Sequence, residues 1–343
     1  MGGRLAQALR SIGAPLLAVA AAMAIGFLLV LAVSDDPVLA YRDLLFANFD
    51  SAANFALFVN RTMPLVLVGL GIVFSFRAGV FNVGGEGQLY VGAIAATATA
   101  LYGSALPGPL LAVAAILAGV LAGAALGWIA GALKVRLGVD EVVSTLMLNF
   151  IALLLTEFLV TNPLRDPSAY GAVSRVIPSG AWLPEVPFLP GATSGAIWAL
   201  LLAGLAWVVL FRTEWGANLR AAGTNRRFAE AVGIDAAGTV TLAMAVSGGF
   251  AGLAGAFYDL GIGHRFEQNF SPGFGLIGLT VALLARLHPL GLLATAAFYA
   301  LILNGAAYMQ IDTDVPRSLV SLIAGFLVLL MTARVRWRAR TRS

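Results

Sequence analysis

Cysteine is absent from this 343-residue sequence, which excludes disulfides, thiolate metal sites and cysteine nucleophiles. Histidine occurs only as His264 and His288, too few for the usual histidine-based metal sites. The single lysine, Lys134, lies in Leu-Lys-Val-Arg, so the Gly-Lys-Ser/Thr signature of a phosphate-binding loop does not occur. The chain therefore cannot hydrolyse ATP by that route.

Charged residues are also scarce, at 11% against 60% hydrophobic residues, and the mean hydropathy is +0.91. Such a composition does not fit a soluble globular chain. Because about 20 apolar residues cross a bilayer as a helix, the pattern predicts an all-α integral membrane protein with about ten transmembrane helices. The apolar stretches are Gly13–Val33, Met63–Phe76, Leu89–Leu106, Pro109–Leu133, Val142–Val160, Gly195–Phe211, Thr239–Gly261, Gly273–Ala285, Leu290–Met309 and Ser318–Ala333. Met63–Phe76 and Gly273–Ala285 are short enough to be broken or re-entrant.

The distribution of positive charge predicts the orientation. The first stretch, 13–33, follows two arginines as a signal peptide would, but it is too long and lacks a convincing cleavage site, so we expect a retained anchor helix. Placing both termini in the cytoplasm assigns fifteen of the 21 lysine and arginine residues to the inner side, in keeping with the positive-inside rule. We therefore expect a single transmembrane domain over residues 1–343 with both termini cytoplasmic.

A glycine-rich stretch with one carboxylate, Arg77 to Gln88, interrupts the apolar pattern. Lipid cannot satisfy a loosened backbone, so such a break lies within protein or lines an aqueous cavity. Transporters often hold their solutes at breaks of this kind. The residues expected to line or gate a translocation route are Asn82, Glu86, Gln88 and, in an apolar helix, Asn149. The alternative is that they cap helix ends or bond neighbouring helices.

Two outer segments and several single residues have simpler interpretations. The segment Ser34 to Arg61 mixes aspartates with aromatics, as an interfacial helix does. The proline-rich segment Asn162 to Ser194 is either an ordered cap or a mere connector. Asp259 is expected to be solvated, and His264 to be an exposed loop residue. The glycines that recur every four residues in one helix predict close helix packing; they are Gly119, Gly123, Gly127 and Gly131.

A polar stretch over residues 212–238 falls on the cytoplasmic side. Asn225 can cap the start of a short helix and Gly233 can end it in a left-handed conformation. Phe228, Ala231 and Val232 share one face of that helix by their spacing. About two turns are not stable alone in water, so this apolar face needs a partner, and a groove on another protein would supply one.

The motifs together resemble the permease subunits of bacterial ABC importers for simple sugars, branched-chain amino acids and nucleosides, and most closely the nucleoside permeases. The residues that carry the resemblance are Thr62 to Gly71, Phe76 to Gln88, Val139 to Asn149 and the segment from Gly216 to Asp235.

The resemblance implies a permease of the bacterial inner membrane that is not itself an enzyme. It implies partners: ABC ATPase subunits that bind ATP and Mg²⁺, an extracytoplasmic binding protein, and a second, non-identical permease. It also implies that residues 212–238 couple to the ATPase, through Asn225, Phe228, Glu230, Ala231 and Gly233. No cofactor or metal is expected in this chain.

Neutral amides and aromatic rings in the predicted helices, without lysine or arginine, favour an uncharged, hydrogen-bonding solute. A nucleoside fits this description, and a simple sugar is the alternative. A secondary transporter is disfavoured because no carboxylate pair or Asp/His relay lies in the helices. An intramembrane enzyme is disfavoured because the chain offers so few catalytic groups.

Overall fold

The computed structural model describes residues 23–103 and 105–316, together with Leu319, Leu322 and Gly325. These residues form mainly α-helices: α1 (23–31), α2 (Pro37–Phe46), α3 (Ala52–Arg77), α4 (Gly85–Tyr102), α5 (Gly108–Leu137), α6 (Glu141–Thr161), α7 (Gly195–Arg212), α8 (Glu214–Thr224), α9 (Arg226–Ala231), α10 (Ala236–Tyr258), α11 (Phe274–Leu284) and α12 (Pro289–Asp312). A π-helical turn, Asp259–Gly263, continues α10. Two short strands, β1 (Glu185–Val186) and β2 (Leu189–Thr193), are an addition that the all-α prediction did not include.

Among the described residues, six helices are long and apolar enough to cross a membrane: α3, α5, α6, α7, α10 with its π turn, and α12. The predicted stretch 13–33 is helical over 23–31, and residues 13–22 lie outside the described residues. Most of the stretch 318–333 lies outside them too. The count of about ten transmembrane helices and the side of the termini therefore stay predictions.

The prediction that Met63–Phe76 is a short segment, either broken or re-entrant, was wrong. It belongs to α3, a continuous helix of 26 residues that tolerates Pro64 in its interior. The polar residues before Met63 concealed the helix start, and Asn60 is accommodated because its amide bonds the outer loop. Its Nδ2 donates to the Gly191 carbonyl at 2.8 Å, and its Oδ1 accepts from the Thr193 amide at 2.9 Å.

The internal contacts of the chain define two compact units. One comprises the described residues up to Phe58 and those from Phe298 onward. Within it, α2 is capped by Asp36, and Leu44 of α2 is buried with Ile302 and Met309 of α12. Because α3 already begins at Ala52, only the first part of the segment from Ser34 to Arg61 is a separate helix.

The other unit, Val59–Ala297, is built around α4, α5 and α10. The expected glycine packing is confirmed in the contact between α5 and α10. A Cβ atom added at Gly123 would lie 2.8 Å from the Gly252 Cα, and one added at Gly131 would lie 3.0 Å from the Thr241 Cα. Side chains larger than hydrogen therefore cannot occupy this contact without separating the two helices.

The proline-rich segment 162–194, here called the cap, is hydrogen-bonded to the link between α10 and α11 and is therefore more than a connector, whereas its position over an outer mouth stays a prediction. The antiparallel strands β1 and β2 form a hairpin within it. The Ser174 amide donates to the Phe266 carbonyl at 2.9 Å, and the Ile177 amide donates to the His264 carbonyl at 2.8 Å. The cap and the chain that leads into α11 are thus joined by backbone hydrogen bonds.

Candidate functional site

The chain leaves the helical conformation between α3 and α4, over residues 78–84. This is where the glycine-rich stretch predicts a break. Gly79 has a φ of +78°, a left-handed conformation that favours glycine. Ala78, Val80 and Asn82 are buried, whereas Gly79 and Phe81 are exposed, so the break is enclosed by protein on one side only.

Asn82 and Gln88 form an amide network that holds this break. The Asn82 Nδ2 donates to the Gln88 Oε1 at 2.9 Å and to the Ser247 Oγ of α10 at 2.8 Å. The Asn82 Oδ1 accepts from the Gly84 amide at 2.9 Å and from the Gln88 Nε2 at 3.3 Å. Because an amide side chain has two donor hydrogens and two acceptor lone pairs, these contacts use the whole capacity of Asn82.

Asn149 of α6 forms hydrogen bonds to the backbone at the same break. Its Oδ1 accepts from the Gly87 amide at 2.8 Å, and its Nδ2 donates to the Val83 carbonyl at 2.9 Å. The Gly87 amide lies in the first turn of α4, where helix amides lack helical partners, so Asn149 supplies the acceptor. The structure therefore brings Asn82, Gln88 and Asn149 together around one segment.

Glu86 lies where the N-termini of two helices meet. It belongs to the first turn of α4, and its Oε2 accepts from the Gly275 amide in the first turn of α11 at 2.6 Å. A Cβ added at Gly275 would lie 2.8 Å from the Glu86 Cα, so the two helix starts are in close contact. Helix N-termini carry partial positive charge, which compensates the carboxylate in a region where a lone charge is costly.

Two expectations about the outer end of α10 were wrong. Asp259 is fully buried instead of solvated, and its Oδ2 accepts from the Thr97 Oγ1 at 2.7 Å. It begins the π-helical turn, a conformation that often marks functional positions. His264 is partly buried, and its ring stacks on Trp182 at a centroid distance of 3.8 Å.

Sequence reasoning also missed Ser247 and Thr97 as bonding partners. Serine and threonine are common in transmembrane helices, and their spacing carries no signal for a contact across 165 or 162 positions of the chain.

The short helix predicted to start at Asn225 is confirmed as α9, and its cytoplasmic side stays a prediction. The Asn225 Oδ1 accepts from the Phe228 amide at 3.1 Å, and Gly233 has a φ of +87°. Glu230 pairs with Arg226 on the preceding turn, where the Arg226 Nε lies 2.8 Å from the Glu230 Oε1. Phe228 and Val232 are 58% and 57% exposed, and Ala231 is exposed as well. Ala229, on the opposite side, is buried against Ala222 and Ala236, so α9 is fixed by one face and presents an apolar face outward.

The chain matches the model of the family "Branched-chain amino acid transport system / permease component" over residues 54–332. This match spans most of the sequence, so the chain belongs to that family. It is a multi-pass permease component of the ABC transporter type and not an enzyme, and the family implies ATPase and substrate-binding protein partners.

Curated relatives include permeases for different solutes. The chain is 32% identical over 328 residues to the guanosine ABC transporter permease protein NupP of Bacillus subtilis, covering 93% of this chain and 92% of that protein. It is 30% identical over 329 residues to the glucose ABC transporter permease protein TsgB13 of Haloferax volcanii, covering 93% and 86%. A second guanosine permease of Bacillus subtilis, NupQ, is 30% identical over 69% of this chain and 76% of its own length.

Proposed function

We propose that this chain is a permease subunit of an ATP-driven importer that carries nucleosides across the bacterial inner membrane. The observation that carries the proposal is the neutral chemistry of the broken segment. Its side chains are the amides of Asn82, Gln88 and Asn149, and the one carboxylate, Glu86, is compensated by two helix ends. Because these amides are bonded within the chain, the segment suits an uncharged solute by offering it no unpaired charge, and similarity to a guanosine permease favours a nucleoside.

A glucose importer is the second candidate, because the similarity to a glucose permease is of the same extent. Uptake into proteoliposomes that contain the whole transporter, supplied with its binding protein, separates the two candidates. If the proposal is correct, labelled guanosine is taken up when ATP is supplied on the side of the membrane that carries the ATPase subunits. Excess unlabelled glucose does not lower this guanosine uptake. Uptake of glucose without uptake of any nucleoside would reject the nucleoside assignment.

The proposed assembly pairs this chain with a second, non-identical permease, since the chain resembles both NupP and NupQ of one organism. ATP and Mg²⁺ bind to the separate ATPase subunits, and the binding protein delivers solute from outside. Co-purification with a tagged partner permease tests the pairing. A transporter that is fully active with this chain as its sole permease would contradict it.

The proposed ATPase contact is the segment from Asn225 to Gly233. Its support is the exposed apolar face of α9, which is held rigidly on its other side. Phe228→Ala is expected to uncouple ATP hydrolysis from uptake while the chain still inserts. Leu137→Ala is the matched control, because Leu137 is an exposed apolar residue, 71% accessible, at the end of another helix. If ATP hydrolysis is coupled to uptake equally well in Phe228→Ala and Leu137→Ala, α9 is not the ATPase contact.

The four residues Asn82, Glu86, Gln88 and Asn149 remain the proposed translocation path. Their hydrogen bonds within the chain favour a role in which they shape the route, and Glu86 is the one that retains partial exposure. Normal uptake by Glu86→Gln combined with Asn82→Ala would leave the segment with a purely structural role.

A further inference from the structure

Two arginines, one at the end of α3 and one in α8, contact the same aromatic ring of α7. The Arg77 guanidinium carbon lies 5.5 Å from the centre of the Phe211 ring, and the Arg220 guanidinium carbon lies 5.3 Å from it. His288, just before α12, stacks on this ring at a centroid distance of 5.6 Å. These four residues, here called the arginine cluster, join three helices and the link that leads into α12.

The positive charge of the arginine cluster is not compensated within the described part of the chain. There, no carboxylate lies within ion-pair distance of Arg77 or Arg220, whereas Arg226 has Glu230 at 2.8 Å. Arg77 instead donates from Nε and Nη2 to the Leu287 carbonyl, at 3.1 and 3.0 Å. Arg220 lies near enough to Arg77 for the two charges to repel each other. An anion beside the cluster would remove this repulsion.

Arg220 has the least satisfied charge of the cluster. Its side chain is partly exposed, but its Nη1 is shielded from solvent and has no hydrogen-bond partner in the described chain. A charge that is removed in part from water is costly unless it is paired. Guanidinium groups bind phosphate through two parallel N–H bonds, which makes arginine the preferred residue at many phosphate sites. The cluster therefore has the charge and the donors that a phosphate group requires.

The arginine cluster lies where two helices of spanning length end, next to an exposed apolar face. Arg77 is the last residue of α3, and Phe211 belongs to the last turn of α7. Three side chains of α7 recur at spacings of four and three residues and so share a face. They are Leu201, Leu205 and Val208, which are 58%, 56% and 42% exposed. This face leads along the helix to the turn that carries Phe211, as the acyl chain of a lipid leads to its headgroup.

A second cation–aromatic pair marks the same end of α7. The Arg212 guanidinium carbon lies 5.4 Å from the Trp207 ring centre. Tryptophan is enriched where spanning helices meet the membrane surface, and lysine and arginine favour the cytoplasmic side. A soluble protein is less well matched to this site, because it would meet the headgroup level but not the apolar face along α7. Basic groups between helix ends on the cytoplasmic side are typical of sites for anionic headgroups.

We propose that the arginine cluster binds the phosphate of an anionic phospholipid of the cytoplasmic leaflet, with an acyl chain along the exposed face of α7. This site goes beyond the proposed function and does not depend on which solute is carried. Because α8 is followed directly by α9, a lipid bound to Arg220 also holds the helix that leads to the proposed ATPase contact.

Lipid retention by the purified whole transporter gives the first test. Native mass spectrometry is used to titrate it with phosphatidylglycerol and with phosphatidylcholine, and the wild type should retain phosphatidylglycerol in preference. We expect Arg220→Gln to weaken phosphatidylglycerol binding about fivefold or more, because one arginine near an anionic surface contributes about this factor. Arg136→Gln is the matched control, since Arg136 is an exposed arginine in the last turn of α5, and it should bind as the wild type does.

A second measurement needs no variant and so does not depend on the folding of Arg220→Gln. The wild-type transporter in nanodiscs is irradiated with phosphatidylglycerol that carries a photoreactive group in its acyl chain. Cross-links should map to the exposed face of α7, and excess unlabelled phosphatidylglycerol should suppress them more than phosphatidylcholine does. Absence of cross-links from α7, or equal suppression by the two lipids, would refute the site.

The remaining outcomes distinguish the lipid from other anions. Inorganic phosphate should not displace phosphatidylglycerol from the transporter, and displacement by it would assign the cluster to a soluble anion instead. Equal weakening in Arg220→Gln and Arg136→Gln would mean a general attraction to negative lipid and would refute a specific site. Loss of ATPase subunits from Arg220→Gln, with unchanged lipid retention, would assign the cluster to a protein contact and also refute the proposal.

Discussion

Replacing Asn149 with leucine is expected to destabilise the chain strongly, because this side chain satisfies two backbone groups that have no helical partner. The Gly87 amide and the Val83 carbonyl would both lose a bond, of 2.8 and 2.9 Å, within a buried site. A buried polar group left unpaired costs about 1–3 kcal/mol. The expected loss for Asn149→Leu is therefore roughly 2–6 kcal/mol, a large share of the roughly 5–15 kcal/mol that stabilises a typical protein.

Asn304→Leu is the matched control. Asn304 is also a buried asparagine on a helix of spanning length, but its Nδ2 has no partner among the described residues. Leucine there removes an unsatisfied group instead of creating two, so the change should be close to neutral. Thermal or denaturant unfolding of the whole chain in nanodiscs measures both variants.

An Asn149→Leu variant as stable as Asn304→Leu would refute the reasoning. It would mean that the break does not depend on Asn149 and that the helix start relaxes onto other partners. Uptake by the reconstituted transporter then distinguishes a structural role of Asn149 from a role in the solute route. A variant of normal stability with low uptake would place Asn149 on the solute route instead.

Three further predictions concern other positions. Gly123→Ala should lower the unfolding stability by about 1–3 kcal/mol through overpacking of α5 against α10, whereas Gly204→Ala, which meets nothing within 4 Å, should be neutral or slightly stabilising. Equal melting temperatures for these two variants would contradict the contact. Asn225→Ala should remove the cap of α9, cost about 1 kcal/mol of local stability and raise amide hydrogen exchange in that helix alone. Glu86→Gln should lower uptake more than expression, because the charge that matches two helix ends is lost; unchanged uptake in proteoliposomes would count against it.

The sequence located most helices because their ends carry recognisable signals. The predicted stretch Val142–Val160 is α6, Glu141–Thr161, which begins where the Asp140 side chain accepts from the Val142 and Val143 amides. Both ends of α9 were predicted for the same reason, since a capping asparagine and a left-handed glycine act on their immediate neighbours. Helix ends that depend on such local interactions can be predicted without knowledge of the fold.

Contacts between segments that are distant in the sequence could not be predicted from the sequence. Asn60 was predicted to belong to an interfacial segment, but it lies inside α3, where its side-chain amide bonds two backbone groups of β2. Asp259 looked solvated because it lies at a helix end, yet Thr97 on another helix provides its partner. At the broken segment, the polar residues were identified, but their bonding to one another depends on the packing of α4, α6, α10 and α11.

The glycine contact between α5 and α10 restricts how the transport cycle can move this chain. Where backbone meets backbone, as at Gly123 and Gly252, sliding by one residue would press a side chain against the facing helix. We therefore expect α5 and α10 to move together in any conformational change of this unit.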